Sequence, residues 1–218
     1  MAEAVEHDLD LAQTRFEEIA AGVVAGSEFR SGIGLPGDLL AQEARAADLI
    51  VCARRHSDSW GLHSHADPGD VLMKAGRPVL VVPDNLVRLD ASNVLIAWKD
   101  TRESRRAVLD ALPFLERAKK VIVAGVCERN DESERQARGQ VADVAGFLSR
   151  HGVKASTAVR KHGNDAPAAA LIDLAEIQEA GLIVAGGYGH TRFREWVFGG
   201  VTLELLSGLA ARAVLLSH

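Results

Sequence analysis

The stretch from Asn93 to Val126 reads NVLIAWKDTRESRRAVLDALPFLERAKKVIVAGV. Two short, continuous, β-branched runs, NVLIAWK (93–99) and KVIVAGV (120–126), flank TRESRRAVLDALPFLERA (101–118), whose apolar residues recur at helical spacing. Strands without polar alternation are buried on both faces, which is the signature of parallel strands covered by helices. The stretch therefore predicts a strand–helix–strand unit of an α/β protein. The same punctuation continues downstream through GVKASTAVR (152–160), GLIVAGG (181–187) and RAVLLSH (212–218), so residues 92–218 predict a complete βαβαβαβαβ unit. Its order is that of a doubly wound parallel sheet, 3-2-1-4-5.

The upstream half repeats part of this pattern. GVVAGSEFR (22–30) parallels GVKASTAVR, DLIVCAR (48–54) parallels GLIVAGG, and RPVLVVP (77–83) parallels RAVLLSH. Residues 1–83 thus form a partial first copy without the counterpart of strands 1 and 2, residues 84–91 a linker, and residues 92–218 the complete copy. A lone strand near 23–30 would lack a neighbour. We read the first copy as shortened at its N-terminal end; the alternative is that another chain supplies the missing strands.

Bulk properties narrow the function. The chain has 218 residues, a net charge of −5 and a pI near 5.9, with no cluster of lysine and arginine that would track a nucleic-acid backbone. Its two cysteines, Cys52 and Cys127, sit in apolar runs without a CxxC partner and are expected to be reduced and buried. The acidic start MAEAVEHDLDLA is no basic leader, and no apolar run has the length of a membrane span, so a soluble cytoplasmic protein is expected.

The chemistry concentrates in GGYGHTRFREWVFGGVT (186–202), which follows the buried run LIVA. Ligands of open α/β sheets bind beyond the carboxyl ends of the strands, where Gly186 falls. Glycines admit close backbone approach, so amides of Gly186, Gly189, Gly199, Gly200 and Val201 can converge on an anion at the start of a helix over 201–209. His190, Arg192 and Arg194 add positive charge beside them. The alternative is that these glycines only shape a loop. In the first copy Ala53 and His56 stand where Gly186 and Gly189 stand in the second, so no cradle is expected there. His56, His63, His65, Asp67 and Asp70 are spaced as metal ligands can be, yet a polar loop explains them and no metal is expected. No Walker loop, GxGxxG, HExxH or GxSxG element is present.

The opening AWKDTRESRRAVLDALPFL and the glycine spacing, Gly186, two residues, Gly189, nine residues, Gly199, together resemble the universal stress protein family in its tandem form. The resemblance covers 92–218 fully and 1–83 in part. It implies the adenine nucleotide alpha hydrolase-like fold in two copies, and a non-catalytic stress-response role with ATP or a related adenine nucleotide, accompanied by Mg²⁺, held in the second copy. It further implies pairing through the last strand, in a homodimer or an intramolecular pseudo-dimer. In the family a serine or threonine follows the third glycine; here Gly200 does, and Thr202 is the nearest hydroxyl. The aspartate that the family places after strand 1 is Lys99 here, with Asp100 one residue later; the backbone at Val126 would be the other adenine contact. Two alternatives stay open, an interaction or dimerisation module without nucleotide and a slow nucleotide hydrolase on the same fold.

Overall fold

The computed structural model describes residues 2–22, 26–54, 66–162, 167–187, 204 and 212–218. The chain divides into two compact units, residues 1–35 and 36–218. In the first, helix α1 (Ala2–Ala20) carries Phe16, whose ring lies 5.6 Å from that of Phe29.

The second unit is built on one seven-stranded sheet. In chain order its elements are α2 (Pro36–Glu43), β1 (Ile50–Ala53), α3 (Pro68–Ala75), β2 (Val79–Val82), β3 (Asn93–Trp98), α4 (Arg102–Asp110), α5 (Leu112–Leu115), β4 (Lys120–Cys127), α6 (Asp131–Arg150), β5 (Ala155–Lys161), α7 (Pro167–Ile177), β6 (Leu182–Gly186) and β7 (Ala213–Ser217). The spatial order is β1-β2-β7-β6-β3-β4-β5, with every pair parallel except β2 and β7. The run β5-β4-β3-β6-β7 is the expected 3-2-1-4-5 arrangement. Beyond it, the last strand of the upstream half pairs antiparallel with the last strand of the chain, Leu80 opposite Leu215.

Alternation along the strands builds a core on each face. Leu95, Ala97, Ile183, Ala185, Val214 and Leu216 face α7 together with Cys52, Val79 and Val81 of the upstream half. Val94, Ile96, Val184, Leu182 and Leu215 face α4, α5 and α6 on the other side. Helix α6 buries Ala137, Val141, Val144 and Leu148, positions three and four apart. Asn130 caps it by accepting from the Ser133 amide at 2.7 Å, and Gly152, at φ +78°, turns the chain out of it. Both cysteines are free and buried. No helix among the described residues is long and apolar enough to cross a membrane.

Two strand pairs end in the same way. Ala53 pairs with Val82, and Gly186 with Ser217, positions that correspond in the alignment of the upstream and downstream sequence. The Arg54 amide then donates to Val82 at 2.7 Å, as the Gly187 amide donates to Ser217 at 2.8 Å.

Two expectations are corrected. Within the segment matched to β5, Gly26–Arg30, aligned with Ser156–Arg160, form no strand and lie outside any ladder among the described residues. β5 is held by β4, and the upstream half has no counterpart of β4 to offer its backbone a partner. The single helix expected over 101–118 is instead α4 and the short α5, broken at Ala111 ahead of Pro113, which has no amide to donate to a preceding turn.

Gly181, just ahead of β6, tests the fit of the linker. A Cβ there would stand 1.9 Å from the Asp90 carbonyl oxygen, and backbone cannot step aside as a side chain does. Gly181→Ala is therefore expected to destabilise the protein by about 1–3 kcal/mol, read as a lower midpoint in urea with an unchanged m-value.

Candidate functional site

The strand order reverses between β3 and β6, because β3 leads to β4 on one side and β6 lies on the other. Such a switch point leaves a crevice between adjacent strand ends. Gly186 closes β6 on one wall. A Cβ on it would meet the Ser104 amide nitrogen at 2.5 Å and the Glu103 carbonyl carbon at 2.8 Å, so the glycine lets the first turn of α4 rest on the strand. Thr101 caps that turn, accepting from the Ser104 amide at 3.3 Å. Gly187 follows with its amide on Ser217, and its carbonyl oxygen lies 3.2 Å from His218 Nδ1.

On the other wall β4 runs past β3. Trp98 is opposite Gly125, whereas β4 and β5 stay paired to Cys127 and Lys161. The His162 amide donates to the Cys127 carbonyl at 2.9 Å, so Cys127 turns its backbone toward β5. By the alternation of a parallel ladder, Val126 turns its carbonyl toward the space beyond the end of β3.

Asp100 is exposed and ion-paired with Arg105. With Trp98, Val108, Leu109, Val144 and Phe147 it lines a groove of about 390 Å³ between α4 and α6. Lys99 is exposed beside it. Gly189, His190, Arg192, Arg194, Gly199, Gly200, Val201 and Thr202 lie outside the described residues, as do His56, His63, His65 and Asp165. Asp67 and Asp70 hold structural roles: Asp67 caps α3 by accepting from the Gly69 and Asp70 amides at 3.0 Å each, and Asp70 takes an ion pair from Lys74 at 2.9 Å. Among the described residues no group of three His, Cys, Asp or Glu side chains could hold a metal ion.

Sequence reasoning passed over two residues. Glu103 is fully buried on the inner face of α4, 2.5 Å from Arg102 Nε through Oε1, while its Oε2 has no hydrogen-bond partner among the described residues. Burial opposes its charge, but hydrogen bonds from Arg102, its own amide and Thr101, with the Arg102 charge, outweigh it and hold the carboxyl below the usual glutamate value. The signal was available as an acid at the second helical position, where the helix dipole favours it. The other residue is Arg54, the upstream counterpart of Gly187. It is 7% exposed, and its Nη2 donates to the Arg212 carbonyl at the start of β7. Burial lowers its pKa, and the Asp84 charge opposes that shift. Where the downstream half has a bare glycine backbone, the upstream half has a guanidinium bound to the neighbouring half.

No protein-family model matches this chain, and no curated protein matches it. Solved structures do. A universal stress protein from Archaeoglobus fulgidus superposes with a TM-score of 0.72 at 17% identity, covering 98% of this chain and 81% of that one. A universal stress protein from Pseudomonas aeruginosa gives 0.61 at 16% identity, covering 97% and 78%. A protein of unknown function from the same species gives 0.60 at 16%, covering 97% and 77%. The chain therefore has the universal stress protein fold, as the glycine spacing and the strand–helix opening imply.

The depressed Glu103 carboxyl stabilises the fold above its ordinary value of 4.5, and that contribution is lost as pH falls through the lower folded-state value. The difference in melting temperature between the parent and Glu103→Gln is expected to shrink on acidification below pH 4.5 and to stay constant above it, measured by differential scanning fluorimetry in matched buffers.

Proposed function

We propose that this chain is a stress-response protein of the universal stress protein type, non-catalytic and cytoplasmic, whose residues 92–218 form one complete copy that binds an adenine nucleotide. Residues 1–83 are the partial copy and 84–91 the linker. The observation that carries the proposal is the strand order, whose reversal between β3 and β6 puts the end of β6, where the spaced glycines begin, at the place where ligands of open α/β sheets bind.

The residues fit a nucleotide in part. The Val126 carbonyl suits the exocyclic amine of adenine, and the amides of Gly189, Gly199, Gly200 and Val201 suit phosphate oxygens. Asp100 meets a ligand only by leaving Arg105. Mg²⁺ would arrive on the phosphates and neutralise their charge, since no carboxylate cluster among the described residues supplies a site of its own. The upstream half does not fit, because Arg54 lies where the backbone would approach the ligand. One nucleotide per chain follows. The antiparallel β2–β7 seam is the pairing that a pseudo-dimer of the two copies uses, and it supports that assembly within one chain.

Gly186 is a poor probe of the ligand because any side chain there collides with α4. A Gly189→Val, Gly199→Val double variant is the better one. Heat extraction of the purified parent is expected to release adenine nucleotide in about one equivalent per chain, and Mg²⁺–ATP to raise its melting temperature. The double variant is expected to release none and to melt at a temperature unaffected by ATP. A parent that releases no nucleotide and does not respond to ATP overturns the proposal in favour of an interaction module.

A further inference from the structure

The charged residues at the turn from β3 into α4 pair off. Arg102 holds Glu103 at 2.5 Å, Arg105 holds Asp100, and Arg106 holds Asp110 at 3.0 Å. Lys99 is left over: it is exposed, and among the described residues its ammonium has neither an ion pair nor a hydrogen bond. The lysine that ends β5 is different, because Lys161 is tied to Glu134 at 2.6 Å.

The fold does not account for a cation at this place. Lys99 lies two residues ahead of Thr101, the N-cap of α4, where the helix dipole is positive and favours an acid. The acid beside it, Asp100, is neutralised by Arg105. An unpaired cation at the positive end of a helix breaks a local rule with no compensating contact, and breaks of this kind are expected at functional sites.

Topology decides what the charge can meet. β3 lies between β4 and β6, with Trp98 opposite Gly125 of β4. Neighbouring strands are about 4.8 Å apart, so Lys99 stands between the end of β4, at Val126, and the end of β6, at Gly186. Trp98 packs on the core under α4 and α6, and alternation along the strand turns Lys99 away from that core. The Thr101 amide donates to the Lys99 carbonyl at 2.7 Å, which fixes the backbone of the turn at the strand end.

We propose that Lys99 is a specificity-determining residue of the nucleotide site: its ammonium pairs with the phosphate next to the ribose, so that the site takes a nucleotide in preference to a nucleoside. The assignment rests on the reading of residues 92–218 as a nucleotide-binding copy. With the base at Val126 and the phosphate chain beyond the end of β6, the sugar and its 5′-phosphate cross the end of β3, where Lys99 is. An ammonium donates hydrogen bonds and accepts none, so it offers nothing to the exocyclic amine of the base. As a compact charge on a flexible four-carbon stem it suits a phosphate oxygen.

The test is calorimetric titration of the full chain, stripped of bound nucleotide, with adenosine, AMP and ATP. The parent is expected to bind AMP about tenfold or more tightly than adenosine at low ionic strength, and the gap to narrow as salt is added. Lys99→Met keeps the stem and removes the charge; it is expected to weaken AMP about tenfold, to leave adenosine unchanged, and to melt with the parent because the side chain is exposed and unpaired. Lys99→Arg is expected to retain most of the preference. A parent that binds ATP but does not distinguish AMP from adenosine overturns the assignment and leaves the nucleotide site standing. So does a Lys99→Met protein with the parent's preference, or one that loses adenosine as much as AMP, which makes the residue structural. A parent that binds none of the three ligands overturns the nucleotide site itself and this assignment with it.

Discussion

The antiparallel seam between β2 and β7 is the interaction on which residues 36–83 depend. Two parallel strands of four residues cannot shield their own apolar faces or satisfy both edges. Through Val79, Leu80 and Val81 against Leu216, Leu215 and Val214, they extend a sheet that already has five strands and two cores. Cys52, Val79 and Val81 then share a core with Leu95, Ile183 and Val214. The upstream half is stable as an annex to the downstream one, and the Arg54 guanidinium on the Arg212 carbonyl adds a polar tie across the same seam.

The sequence similarity of the two halves makes their differences informative. At one position the downstream half has Gly187 and the upstream half Arg54, with the same backbone hydrogen bond behind both. At the preceding position, Gly186 admits α4 while Ala53 is exposed. The two corresponding strand ends thus differ by two side chains and by the presence of α4. The order of the parallel strands reverses between β3 and β6, whereas β1 and β2 are consecutive neighbours without such a reversal.

Much of this was legible in the chain itself. The apolar runs at 93–99, 120–126 and 181–187 became β3, β4 and β6, because a strand buried on both faces has no polar alternation to obscure it. The spacing of Gly186, Gly189 and Gly199 pointed to the right fold. What misled was local similarity without its neighbours: GVVAGSEFR resembles GVKASTAVR, yet Gly26–Arg30 form no strand, and among the described residues no strand pairs with them. Asp100 was legible as an acid near the strand end but not as the partner of Arg105, which one turn of α4 brings to it.

Sequence by itself determined the elements that depend on near neighbours along the chain: the strands, the caps at Thr101, Asn130 and Asp67, and the repeat. Tertiary structure alone decided what depends on distant partners. Val51 and Val184 lie in nearly the same local sequence, IVC and IVA, yet one is 59% exposed and the other sealed. Local sequence specifies that a valine alternates to a given face of a strand. Whether anything covers that face is decided by elements far away in the chain, here the β3 and α4 that the upstream half does not have.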